Sequence, residues 1–135
     1  MSQEYYFLGT TLATITASTA TNLSADPHPC PFHEAWETVG YSGDGNPIEA
    51  GAAWCEWHWT KMEALWWRQL FSLSGIGTAA YVQNIYIRTR TNLVDADGTY
   101  EYKNYKATMY RPEGKPSPHY MFEDVIIKFT RLEEQ

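Results

Sequence analysis

Trp54-Cys-Glu-Trp-His-Trp-Thr-Lys-Met-Glu-Ala-Leu-Trp-Trp-Arg-Gln-Leu-Phe71 holds five of the chain's six tryptophans and changes its period part way along. Up to Trp59 the residues alternate, with Cys55, Trp57 and Trp59 on one side and Trp54, Glu56 and His58 on the other, the two-residue period of a strand. Thr60 and Glu63 then have the spacing of a capping box, which predicts a helix with Thr60 as N-cap. Met62, Leu65, Trp66, Leu70 and Leu73 form one helical stripe, and Gly75 and Gly77 supply the stop. One strong helix, over about residues 60–74, then has to cover a sheet built from the rest.

Working outward, Ile48–Trp59 pairs with Phe32–Tyr41 across Ser-Gly-Asp-Gly-Asn-Pro, a turn signal, so a hairpin is expected with His33 opposite Glu56 or Trp57. Ala79–Leu93 and Tyr100–Arg111 flank Asp95-Ala-Asp-Gly98 and form a second, longer hairpin. Tyr81, Gln83, Ile85, Ile87 and Thr89 are expected on its core side, facing Tyr105, Ala107 and Met109. Asp124–Leu132 is the last strand, with Val125, Ile127 and Phe129 to one side. Residues 5–16 are rich in aromatic and β-branched types and are read as the first strand. Pro27, Pro29 and Pro31 end a long extended loop, and residues 112–118 form a second surface loop, too rich in proline for a sheet interior. The expected fold class is mainly β: a β-sandwich or partly closed barrel of two antiparallel sheets, one flanking α-helix, a long hairpin and long loops.

At 135 residues, residues 1–135 fit a single domain with a full core, and 16% aromatic against 19% charged residues argues against disorder. The net charge of −6 does not provide a cationic surface for nucleic acid or anionic lipid. No apolar run approaches the ~20 residues of a membrane helix, and the start lacks the pattern of a signal peptide, so synthesis in a cytoplasm and no membrane partner are expected.

No Gly-x-Ser-x-Gly, phosphate-binding glycine loop or His-Glu-x-x-His occurs, which points away from an enzyme and from any cofactor. Asp95-x-Asp97-Gly98 lacks the later ligands of a calcium loop and is explained as a turn. Cys30-x-x-His33 and Cys55-x-x-His58 have the spacing of zinc ligands, with His28 nearby. Against zinc, Cys55 and His58 point to opposite faces of a regular strand, so no metal is expected. Arg88, Arg90, Lys103 and Lys106 lie among Tyr86, Tyr100 and Tyr102, a pattern shared by single-strand nucleic-acid binders and by solvated or partner-facing sheets; the acidic total favours the latter. Trp67 at the edge of the stripe, His58 on the outer strand face, and Arg88, Arg90 and Lys103 are the candidate subunit contacts.

Gly51–Thr60 leading into a short helix, then Tyr81–Arg90, Tyr100–Pro112 and Asp124–Leu132, resemble small tail tube proteins of tailed bacteriophages over about residues 30–133. The resemblance implies subunits that assemble into stacked hexameric rings forming a hollow tube in the virion tail. It implies contacts with other copies of the chain and with other tail proteins, and double-stranded DNA passing through the lumen without tight binding. A tail terminator or neck completion protein, which forms a single ring, has the same pattern. From the residues alone, six tryptophans on a β-sandwich also fit a small carbohydrate-binding module.

Overall fold

The structure, a computed structural model, describes residues 6–16, 23, 26–33, 37–50 and 53–135, and of 37–40 and 47–50 the backbone alone. The chain runs β1 (Phe7–Gly9), α1 (Leu12–Thr16), β2 (Phe32–His33), β3 (Glu37–Tyr41), β4 (Pro47–Ala50), β5 (Ala53–Glu63), α2 (Ala64–Ser74), β6 (Tyr81–Val94), β7 (Tyr100–Tyr110), β8 (Glu113–Ser117) and β9 (Met121–Glu134). It is mainly β, with antiparallel pairing throughout these strands. Seven strands share one sheet in the order β1-β6-β7-β9-β5-β2, with β8 beside β9, while β3 and β4 make a separate two-stranded sheet.

The large sheet curls without closing into a barrel. Cys55, Trp57 and Trp59 of β5, Ile85, Ile87, Thr89 and Thr91 of β6, Tyr105, Ala107 and Met109 of β7, and Val125, Ile127 and Phe129 of β9 are all buried. This is the period-two alternation expected of strands with one face against a core. Trp57 is fully buried, and its indole N–H donates to the Thr89 hydroxyl at 2.9 Å, joining β5 to β6 across the core although two strands separate them in the sheet. Its ring meets Phe129, Tyr6 and Trp59 edge-on, at 4.6, 5.6 and 6.2 Å.

Where the sheet fails to close, the proline-bearing segment lies between its two edges. The Leu23 N–H donates to the Tyr6 carbonyl at 3.1 Å on the β1 side. On the β5 side the Glu56 and His58 N–H groups donate to the carbonyls of Pro31 and Pro29, both at 3.0 Å. Proline has no N–H to give but accepts as well as any residue, so an accepting edge position suits it.

Five local expectations are corrected. On β6 the irregularity between Val82 and Ile85 leaves Tyr81 and Gln83 exposed, so of the five residues expected on the core side only Ile85, Ile87 and Thr89 are buried. The helix begins at Ala64, because Lys61, Met62 and Glu63 stay paired with Glu123, Phe122 and Met121 of β9. Three further ladder positions outcompete a cap: Glu63 is the N-cap with no side-chain bond, and the Ala64 N–H donates instead to the Tyr120 carbonyl at 2.9 Å. The later start rotates the stripe, so Leu65 is 74% exposed, whereas Trp67 stacks on Phe122 at 4.3 Å with the rings 4° from parallel. Gly75 does end the helix, at φ 65°.

The first strand covers only Phe7–Gly9, and Leu12–Thr16 is helical. Threonine hydroxyls offer local bonds that compete with a ladder: the Thr14 N–H donates to Thr11 Oγ1 at 3.3 Å, and Thr16 Oγ1 donates to the Leu12 carbonyl at 2.9 Å. His33 pairs with Trp54 rather than Glu56 or Trp57. The turn, closed by Ser42 N–H to the Asn46 carbonyl at 2.8 Å, sets Tyr41 opposite Pro47, and an irregularity between Thr38 and Gly40 shifts the pairing by one residue to the register that His33 and Trp54 share. Finally, residues 113–117 are not a loop but the edge strand β8, where Pro116 gives up no ladder bond that an inner strand would need.

The Trp57–Thr89 bond sets one expectation. Thr89→Val keeps the shape but leaves a buried indole N–H without an acceptor, and should lower the unfolding free energy by about 1–3 kcal/mol in urea titrations followed by tryptophan fluorescence.

Candidate functional site

The alternation of β5 decides the fate of the four zinc candidates. Cys55 lies inside with Trp57, while Glu56 and His58 lie outside and pair with each other, His58 Nε2 to Glu56 Oε1 at 2.8 Å. Cys30 is buried too, with its Sγ 3.0 Å from the Tyr6 hydroxyl. His33 is exposed and its ring stacks on Trp54 at 5.3 Å. Two sulfurs therefore face the core and two imidazoles face out, whereas a zinc ion needs all its ligands within about 2.3 Å of one point. Among the described residues no three His, Cys, Asp or Glu side chains converge to hold a metal. Burial pushes the Cys55 thiol well above its ordinary range, and the nearby Cys30 pushes it further. Burial and the Cys30 contact raise the Tyr6 hydroxyl in the same way. A neutral, enclosed thiol such as that of Cys55 is a poor nucleophile and a poor ligand.

The cations expected at subunit contacts each have a neighbour within the chain. Arg88 Nη1 donates to Asn104 Oδ1 at 3.3 Å, and burial lowers its pKa. Arg90 lies over the Tyr100 ring, 4.3 Å from its centroid. Lys103 Nζ is 3.1 Å from Glu134 Oε1, and the bond to Glu134 raises its pKa. They do not form one open basic stripe. Trp67 is likewise engaged: it stacks on Phe122, and a Cβ added to Gly114 would come within 2.9 Å of its ring.

Two features that sequence reasoning missed stand out. The first is a cavity of about 380 Å³ at the open seam, lined by Tyr6, Asp26, His28, Cys30, Arg90 and Tyr100 among others. Burial raises the Asp26 carboxyl there. The cavity offers hydrogen-bonding groups, one guanidinium, one acid and a buried thiol. No spacing in the sequence could reveal it, because it exists only where two distant edges meet. The second is that β3 and β4, the turn end of the expected first hairpin, form among the described residues a two-stranded sheet separate from the seven-stranded one. Tyr41 at the tip of this β3–β4 arm is 72% exposed. Elsewhere Tyr120, 87% exposed, is tied to the start of α2 beside the exposed Leu65. Trp57 and Trp59 are buried, and Trp54, the more exposed of the β5 tryptophans, is covered on one side by His33.

Among the described residues no helix is long and apolar enough to cross a membrane. Compared with protein families, with curated proteins and with solved structures, the chain matches none.

The placement of the sulfurs is open to direct measurement. In native protein both thiols should react with a disulfide reagent at least about 100-fold more slowly than free cysteine, and reach full reactivity only in denaturant. Chelator-washed protein should carry substoichiometric zinc by elemental analysis; one zinc retained per chain would overturn the placement of these four side chains.

Proposed function

We propose that the chain is a virion structural protein, the tail tube subunit of a tailed bacteriophage or of a particle derived from one, which assembles into stacked hexameric rings around a DNA-conducting lumen. The observation that carries this reading is the β3–β4 arm. A two-stranded hairpin on its own is marginally stable in water, so an arm that forms a sheet apart from the body gains stability when a neighbour covers it. The main sheet adds a second argument. Its two end strands, β1 and β2, are only three and two residues long, which blunts uncontrolled edge-to-edge pairing there and leaves the arm and the edge strand β8 as the longer free ladders. The net charge of −6 suits a conduit along which DNA slides without being gripped.

The reading agrees with the resemblance noted in the sequence, and it treats the other copies of the chain as the chief partner and the virion tail as the location. A neck protein would use the same arm to close one ring. With Trp57 and Trp59 buried, a carbohydrate-binding module would have to use Trp54 and exposed tyrosines such as Tyr41, Tyr81 and Tyr110 instead.

Negative-stain microscopy of concentrated protein should show rings or tubes of constant width. Replacing residues 37–50 by a short glycine–serine turn should abolish them, while far-UV circular dichroism keeps its β signal. Monodisperse monomer from the unaltered chain at every salt concentration would overturn the tube reading, and polysaccharide-dependent quenching of tryptophan fluorescence would support the carbohydrate reading in its place.

A further inference from the structure

The middle of β7 is flanked by an irregularity on each side. Towards β6, Val82 pairs with Met109 and Ile85 with Ala107, so Gln83 and Asn84 together oppose Thr108. Towards β9, Lys106 pairs with Glu133 and Thr108 with Thr130, so Arg131 and Leu132 together oppose Ala107. Each is a β-bulge, and each contains a residue in the left-handed region, Asn84 at φ 61° and Arg131 at φ 55°. Asparagine adopts that conformation readily; arginine does so only with strain.

Two bulges on either side of one strand splay a surface that a regular sheet would leave flat. The hollow between them has a volume of about 170 Å³ and is lined by Gln83, Asn84, Lys106, Thr108, Arg131 and Glu133, with the Ala107 backbone as floor. Its lining is polar. Lys106 faces Glu133 across the ladder, yet neither it nor Arg131 forms an ion pair among the described residues. Two cations, two carboxamides and a hydroxyl therefore converge against a single carboxylate.

We infer that this double-bulge hollow is a binding site for a phosphate group. The ligand class follows from the donors. Lysine and arginine supply charge and directed N–H groups, the carboxamides and Thr108 supply neutral donors, and the volume suits a compact tetrahedral anion with a few waters. Strained conformations persist at ligand clamps because the geometry they impose is used there, and here the strained residue is itself one of the two cations. The site does not depend on assembly of the chain into rings. The phosphate could be free inorganic phosphate or one unit of a nucleic-acid backbone, and the two sources are separable.

Inorganic phosphate titrated into the full chain at low ionic strength, followed by isothermal calorimetry, should bind saturably at one site per chain. The double variant Lys106→Gln, Arg131→Gly removes both cations, and glycine accepts the backbone conformation at position 131; it should weaken binding at least about ten-fold. Lys128→Gln, on β9 outside the hollow, should leave binding unchanged. A twelve-nucleotide single-stranded DNA that binds more tightly than phosphate, and loses as much in the double variant, would assign the site to a backbone phosphate. Phosphate binding without such tightening assigns it to the free ion. No saturable binding of either probe to the unaltered chain, or binding that survives the double variant, would overturn the inference.

Discussion

A curled sheet that does not close has to be held in its curvature by something other than a ladder, and here that is Trp57. Its ring fills the interior between β5 and the opposite wall, touching Phe129, Trp59 and Tyr6, while its N–H reaches Thr89 on β6. A tryptophan is large enough to span the interior, but its polar atom is a liability if buried alone, so the position demands a hydrogen-bond acceptor on the facing strand. Thr89 meets that demand and is itself buried. The bond therefore fixes which face of β6 turns inward, and through the β6–β7 and β7–β9 pairings it fixes the register of the walls.

Bulges settle the rest of the inward set. After Val82 the strict alternation of β6 would turn Asn84 inward; the extra residue puts Ile85 there instead. On β9 the same device turns Leu132 into the core where alternation after Phe129 would have placed Arg131. Both bulges exchange a polar residue for an apolar one at the core, and both leave a polar residue displaced towards the surface. The hollow is thus a by-product of core packing in its origin, whatever it binds.

These local departures mark the limit of what the sequence discloses. The long hairpin, the inward faces of β5, β7 and β9, the edge-only role of the prolines and the Gly75 stop all rest on short-range periodicity or on one residue's stereochemistry, and all can be read directly. Met62 could not be placed that way. It fits a helical stripe as well as it fits a strand, and only its pairing with Phe122, sixty residues on, decides for the strand. Likewise Leu12–Thr16 has the composition of a strand and becomes helical because its threonines satisfy backbone groups locally. The Cys-x-x-His pairs looked like ligands because spacing records distance along the chain and not the face on which a side chain emerges. The seam cavity and the double-bulge hollow depend on which strands lie side by side, information that no local pattern contains.

The charge distribution sharpens this last point. Ten basic residues face sixteen acidic ones, so the surface field as a whole repels polyanions. Several of the cations are also engaged nearby: Lys103 with Glu134, Arg90 over Tyr100, and Arg111 over Phe71 with its Nη1 donating to the Gly77 carbonyl at 2.7 Å. Lys106 and Arg131 are set apart by facing a polar hollow without such engagement. A compact phosphate can enter that hollow and meet the two cations at close range, against the one carboxylate, Glu133, that lines it. A long nucleic-acid backbone has to lie along that surface as well, and each additional phosphate meets the unfavourable field. Local attraction with global repulsion favours the small anion over the polymer.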